Sequence, residues 1–183
     1  MNLISIVIPT LDEEDNIEGL IAEITNQFLE QKYDYEIIVI DNCSGDNTVK
    51  KEKNLIEKNK KIKLIVNSRN FGHLRSPFYG ILQARGDAVI LINADFQDPP
   101  RLIGELINKW KTGCEIVLLQ KIKSDENKIK FFIRNMFYKI LNSISENKMT
   151  TNTTGSGIFD KKIINQLKKI NDPYPYFRGL LSE

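Results

Sequence analysis

Residues 89–100, Val-Ile-Leu-Ile-Asn-Ala-Asp-Phe-Gln-Asp-Pro-Pro, run four apolar side chains straight into amide and carboxylate oxygens and then stop at two prolines. An unbroken apolar run of this length reads as a strand buried on both faces of a parallel sheet, so Asn93, Ala94, Asp95, Gln97 and Asp98 emerge at its carboxyl end. Ligand crevices of open α/β sheets lie at that end. Oxygen ligands set this closely suit a hard divalent cation, Mg²⁺ or Mn²⁺, and such a cation suits the phosphates of a nucleotide. An acidic turn that merely caps the next helix fits the same residues, because Asp before Pro-Pro is also a helix start.

The surrounding chain repeats the pattern. Leu3 to Pro9 is an apolar run, followed by Asp12, Glu13 and Glu14 and then Ile17, Leu20, Ile21 and Ile24 at helical spacing. Tyr35 to Ile40 gives a second strand that ends in Asp41-Asn42-Cys43-Ser44-Gly45-Asp46-Asn47-Thr48, where Asp46 is placed to cap the next helix. That helix runs to about Asn59, a third strand covers Ile62 to Val66, and a helix follows the loop Asn67 to Leu74 and reaches Ala84. After the fourth strand come a helix over Leu102 to Trp110, ended by Gly113, and a fifth strand, Glu115 to Leu119.

Strands alternating with helices of about a dozen residues imply right-handed crossovers and a mainly parallel, Rossmann-like α/β sheet with helices on both faces. Beyond Gln120 the sequence predicts a basic segment, Lys121 to Lys130, and an apolar helix from about Ile129 to Ile144. A polar stretch, Thr150 to Gly157, then leads to a short strand at Ile158-Phe159, a helix after Asp160 and a turn at Asp172-Pro173-Tyr174-Pro175.

Composition narrows the function. At 183 residues a single domain is expected. With 26 Lys and Arg against 24 Asp and Glu, intermixed, the electrostatic footprint of a nucleic-acid binder is missing. Cys43 and Cys114 have no metal-ligand spacing and are too few for a disulfide framework, which reads as a reducing, cytoplasmic environment and two inert thiols. No signal peptide is expected ahead of the first strand, and no apolar run is long enough to cross a bilayer. The closing Phe-Arg-Gly-Leu-Leu-Ser-Glu breaks off inside a helix-like pattern, so a truncated chain is expected.

In a doubly wound sheet the ends of strands one, two and four meet in one crevice, which gathers Pro9, Thr10, Leu11 and Glu13, then Asp41 and Asn42, then Asn93 to Asp98. Carboxylates at contact distance from phosphate cost several kcal/mol unless screened. A bridging cation removes that conflict, and Asp41-Asn42 is better placed for a base or ribose. The chain has neither Gly-x-Gly-x-x-Gly nor Gly-Lys-Ser/Thr, which sets dinucleotide enzymes and phosphate-loop hydrolases aside.

Four segments in order carry a resemblance: Ile-Val-Ile-Pro-Thr-Leu-Asp-Glu-Glu-Asp-Asn-Ile, Ile-Val-Ile-Asp-Asn-Cys-Ser-Gly-Asp-Asn-Thr, Asn-Phe-Gly-His and Asn-Ala-Asp-Phe-Gln-Asp-Pro-Pro. They resemble the motifs of family 2 glycosyltransferases, within that family most closely the dolichyl-phosphate mannose synthase and polyprenyl-phosphate sugar transferase branch. The later Thr-Gly-Ser-Gly-Ile-Phe-Asp and Asp-Pro-Tyr-Pro-Tyr-Phe-Arg-Gly-Leu extend the match over nearly the whole chain.

The resemblance implies a GT-A fold. Residues 1–120 would form a nucleotide-sugar-binding half and 121–183 an acceptor-side half, cut before membrane segments. Asp95, Gln97 and Asn93 would hold Mg²⁺ or Mn²⁺, while Pro9, Thr10, Leu11, Glu13, Asp41, Asn42, Asn70, Asn93 and Ala94 would hold a nucleoside-diphosphate sugar. Asn93 replaces the first aspartate of the family's Asp-x-Asp, and Asn42 the second of its usual Asp-Asp pair. Either change keeps an acceptor oxygen and removes a charge.

Lys121 falls where this branch places an arginine, and Arg134 on the arginine of an acceptor-phosphate helix. Lysine keeps the charge and loses the bidentate fork. His73 belongs to the Asn70-Phe71-Gly72-His73 motif and is read as loop packing, and Arg178 as structural. The implied reaction is metal-dependent, inverting transfer to a polyprenyl phosphate at the cytoplasmic membrane face, in cell-envelope glycan synthesis. Asp95, Arg134 and Lys121 are its catalytic residues, and a homo-oligomer remains open. Transfer to a saccharide hydroxyl would need a carboxylate base, with Asp160 or a residue beyond Glu183 the candidate. A non-catalytic, receiver-like nucleotide-binding domain is the reading outside enzymes.

Overall fold

Three strands are buried on both faces. In the computed structural model, which describes residues 2–29, 33–120, 136, 153–170, 172 and 175–181, these are β1 (Leu3–Thr10), β2 (Asp34–Asp41) and β4 (Ala88–Leu91). Successive side chains of a strand point to opposite faces. Accordingly Ile4, Ile6, Ile8, Ile37, Val39 and Ile90 pack on one side with α1 (Ile17–Leu29) and α4 (Leu102–Lys111), while Val7, Ile38, Ile40, Val89 and Leu91 pack on the other. The second layer holds α3 (Gly72–Leu82), α5 (Lys161–Leu167) and α6 (Phe177–Leu180). Each fully buried Ile or Leu contributes about 1.5–3 kcal/mol, so the two clusters supply most of the driving force.

Adding α2 (Thr48–Lys58), β3 (Ile62–Val66), β5 (Ile116–Gln120) and β6 (Thr153–Asp160) completes a six-stranded sheet of order β3-β2-β1-β4-β6-β5. β1 pairs in parallel with β2 and β4, and β2 with β3. The strand order reverses between β1 and β4, the topological switch point at which ligands bind in open α/β sheets. β6 runs antiparallel to both β4 and β5, which the strand-helix rhythm did not foretell.

β6 also begins at Thr153, five residues before the expected Ile158. The cause is packing. A Cβ on Gly157 would lie 2.2 Å from the Val117 carbonyl oxygen, so β5 and β6 approach too closely there for a side chain, and the glycine-rich stretch that reads as a loop is a strand. Helix and strand bounds elsewhere fall within two residues of the sequence reading, except that α3 begins at Gly72, inside the stretch read as a loop up to Leu74. Apart from Met136, the basic segment and apolar helix expected over 121–144 lie outside the described residues, and with them Lys121 and Arg134. Among the described residues no helix is long and apolar enough to cross a membrane.

Candidate active site

The carboxyl end of β1 is joined to that of β2 through their loops. Thr10 pairs with Asp41 in the sheet register, and Asn42 N donates to Thr10 O at 2.9 Å, which carries the ladder one residue past the strands. Beyond it, Asp12 N donates to Ser44 Oγ at 2.9 Å, Gly45 N to Asp12 Oδ1 at 2.7 Å and Glu13 N to Thr48 Oγ1 at 2.8 Å. Glu14 Oε2 accepts from both Asn47 N and Asn47 Nδ2, and Lys51 Nζ donates to Glu14 O at 2.7 Å. Asp46 Oδ1 accepts from Thr48 N at 2.9 Å, the expected cap made from just outside α2. Such lacing holds the loops as one rigid rim.

Three non-glycine residues have positive φ: Asp12 at 55°, Cys43 at 72° and Phe96 at 56°. They stand in the loops after β1, β2 and β4. Left-handed backbone at a non-glycine residue costs free energy and collects at ligand sites, so its appearance on these three loops and not elsewhere among the described residues marks the rim.

The rim encloses a cavity of about 370 Å³ lined by Pro9, Thr10, Leu11, Glu13, Asn42, Asn70, Asn93, Ala94 and Asp95, together with Gly72, His73, Ser76 and Pro77. Residues singled out from separate parts of the sequence are thus brought to one surface. Two are not on it. Asp41 is fully buried, and its Oδ1 accepts from Cys43 N and Ser44 N, both at 3.0 Å, while Oδ2 accepts from Ser44 Oγ. Its carboxylate is committed to shaping the loop. Gln97 is exposed and outside the lining, and its backbone N–H donates to Asp95 Oδ1 at 3.1 Å.

Asn42 is the hub of the opposite wall. Its Oδ1 accepts from Phe71 N at 2.9 Å and Asn67 Nδ2 at 3.2 Å, and its Nδ2 donates to Asn70 Oδ1 at 2.7 Å. Asn67 Nδ2 also donates to Ser76 Oγ at 2.9 Å, tying the loop to α3. Pro77, inside α3, has no N–H to offer the carbonyl four residues back, that of His73, and both residues line the cavity. Across the crevice, Asn93 Nδ2 reaches Ser156 Oγ of β6 at 3.5 Å.

Ser76 and Pro77 of α3 were not singled out in the sequence, and Gly72 and Ser156 stood there only inside motifs with no site role given, because all four arrive from segments distant from the strand ends. Beneath the rim lies a further unforeseen group. Glu52 of α2 is fully buried and accepts from Thr10 Oγ1 at 2.8 Å. Its signal was the apolar face it shares with Leu55 and Ile56, three and four residues on.

A divalent cation fits the β4 side. The side-chain donors of Asn93, Asp95 and Gln97 are oxygens, Asp95 is exposed, and the buried Oδ2 of neighbouring Asp98 has no hydrogen-bond partner. Among the described residues no group of three or more His, Cys, Asp or Glu is placed to hold a metal. A single carboxylate with amide oxygens leaves most coordination positions to water and a ligand's phosphates, the mode preferred by Mg²⁺.

Residues 5–168 match the model of glycosyl transferase family 2. The chain belongs to that family. As a member of family 2 it is similar to the uncharacterized glycosyltransferase sll0501 of Synechocystis sp., with 38% identity over 180 residues that cover 98% of this chain and 57% of that protein. The bactoprenol glucosyl transferase of Shigella phage SfV is 32% identical over 181 residues, covering 98% of this chain and 59% of its own length.

This family 2 chain therefore spans a little over half the length of these relatives. Glucosyl-3-phosphoglycerate synthase from Mycobacterium tuberculosis, in complex with Mn²⁺, uridine diphosphate and glucosyl-3-phosphoglycerate, superposes with a TM-score of 0.64 at 20% identity, over 88% of this chain and 58% of that one. The fold is GT-A.

Proposed function

We propose that this chain binds a nucleoside-diphosphate sugar in the rim cavity and belongs to an inverting glycosyltransferase that delivers the sugar to a polyprenyl phosphate in cell-envelope glycan synthesis, at the cytoplasmic face of the membrane. The observation that carries the reading is the single cavity that joins Thr10, Glu13, Asn42 and Asn70 on one wall to Asn93, Ala94 and Asp95 on the other. The bactoprenol glucosyl transferase likeness supports the lipid acceptor. The superposition on a synthase holding Mn²⁺ and uridine diphosphate supports the donor class and the metal.

Pro9, Thr10, Leu11, Glu13, Asn42 and Asn70 would receive the nucleoside, with Asp41 holding their loop. Asn93, Asp95 and Gln97 would hold Mg²⁺ or Mn²⁺, which when bound offsets the charge on the departing diphosphate. An oxygen of the acceptor phosphate attacks the anomeric carbon from the face opposite the diphosphate. The carbon–oxygen bond to the diphosphate breaks, and the nucleoside diphosphate leaves with the electron pair. The acceptor phosphate is already ionised near neutral pH, so no side chain has to remove a proton. Lys121 and Arg134 would hold that phosphate through charge-assisted hydrogen bonds.

Transfer to a sugar hydroxyl, with Asp160 as base, does not fit. Asp160 pairs with Ala88, at the start of β4, whereas the cavity lies past the end of that strand. At roughly 3.3 Å per residue the separation exceeds about 10 Å. Its carboxylate is also engaged, Oδ2 accepting from Trp110 Nε1 at 2.7 Å and Oδ1 from Lys162 N at 2.9 Å. Incubation with labelled UDP-glucose or GDP-mannose, Mn²⁺ and either a short-chain polyprenyl phosphate or a free oligosaccharide tests the acceptor. Label in the lipid phosphate is expected; label only in the oligosaccharide would contradict the reading.

A further inference from the structure

Glu52 is a buried acid that the proposed chemistry does not use. It sits on α2 behind the β1 end of the cavity, with 0% of its surface exposed. One carboxyl oxygen is held by the Thr10 hydroxyl, and the other, Oε2, is buried without a hydrogen-bond partner. Thr10 itself lines the cavity and receives the Asn42 amide on its carbonyl. Glu52 therefore braces from behind the residue that joins the carboxyl ends of β1 and β2.

The charges around it are mostly negative. From β2 and the loop after it come Asp41 and Asp46, both of which raise its proton affinity. On its own helix Lys51 is turned away, to Glu14 O and to Glu18 of α1 at 3.7 Å. On β3 Lys63 stands in register with Ile38 on the opposite face of the sheet and is paired with Glu36 at 2.5 Å. Burial is the largest influence, and with the two aspartates it outweighs the Thr10 hydrogen bond to push the Glu52 carboxyl up to about 7.

We propose that Glu52 is a positioning residue of the donor cavity: it fixes the Thr10 hydroxyl and the end of β1 from behind, and its charge state sets how tightly a nucleoside diphosphate is received. The inference rests on the donor-binding reading above. As a neutral acid Glu52 satisfies Thr10 without placing a charge beneath the site. Ionised, it adds a third carboxylate next to Asp41 and Asp46, behind a wall that must accept an anionic ligand, and an unpaired buried charge draws in water at the expense of packing.

Calorimetric titration of UDP with Mn²⁺ into the chain and into Glu52→Gln tests this at pH about 6 and about 8.5, on either side of the Glu52 transition. The ligand's own ionisation affects both proteins equally, so the ratio of their dissociation constants isolates Glu52. That ratio is expected near one at the lower pH, with the unsubstituted chain weaker by at least about threefold at the higher pH, a coupling within the ordinary range.

Because glutamine mimics the neutral acid, Glu52→Gln is also expected to fold and to melt above the unsubstituted chain at the higher pH. A constant ratio, or a Glu52→Gln chain that does not fold, would overturn the positioning role while leaving donor binding standing. Failure of the unsubstituted chain to bind UDP or GDP at either pH would overturn the donor reading and this inference with it.

Discussion

Two backbone amides fix the orientation of Asn42 and Asn70. Phe71 N can only donate, so the group it meets on Asn42 is the carbonyl oxygen; Gly72 N likewise fixes Asn70 Oδ1, at 2.8 Å. The Asn42 amide nitrogen is then left facing Asn70 Oδ1 at 2.7 Å, a contact an aspartate cannot make. Asn42→Asp, which would restore the family's usual pair, is therefore expected to destabilise the chain by about 1–3 kcal/mol in urea unfolding, since two oxygens would face each other in a partly buried site. A neutral or stabilising result would refute this network. Glu52 also makes stability depend on pH, in a known direction. Its carboxyl is raised in the fold, so between about 4.5 and about 7 the unfolded chain ionises first and stability falls as pH rises. Glu52→Gln should remove that loss and gain roughly 3 kcal/mol near pH 8. Equal unfolding free energies for the two proteins across that span would refute a raised Glu52.

Among elements, β6 departs most from the sequence reading. The runs of β1, β2 and β4 were legible because a strand buried on both faces is apolar at most positions, and the helices because their core-facing residues recur at three- and four-residue intervals. β6 obeys a different constraint. It lies between β4 and β5, where Gly157 meets the Val117 carbonyl and Ser156 is fully buried beside Asn93, so small residues replace the β-branched ones by which strands are known. Gly157→Ala is expected to cost about 3 kcal/mol or more, because the obstacle is backbone and cannot rotate away. A loss under about 1 kcal/mol in urea unfolding would show that β5 and β6 separate more easily than their register implies.

Taken as one body, the sheet places its chemistry where its strand order reverses. That much follows from sequence: polar residues after three apolar runs must meet at the carboxyl rim of a doubly wound sheet, and most of those singled out line the cavity. What the sequence left open is which side chains the fold consumes. Asp41 was read as a nucleoside contact, and its carboxylate is instead bound up in its own loop. Three-dimensional neighbours such as Glu52, Ser76 and Ser156 come from helices and an antiparallel strand whose placement no local pattern specifies.

The most direct test is calorimetry of UDP and of GDP with the chain and with Asp95→Ala, each with and without Mn²⁺. The account predicts that one of the two nucleotides binds the unsubstituted chain, that Mn²⁺ tightens binding at least about tenfold, and that Asp95→Ala removes the metal's contribution. Nucleotide binding that is indifferent to Mn²⁺ and to Asp95, or no binding of either nucleotide with metal present, would contradict it.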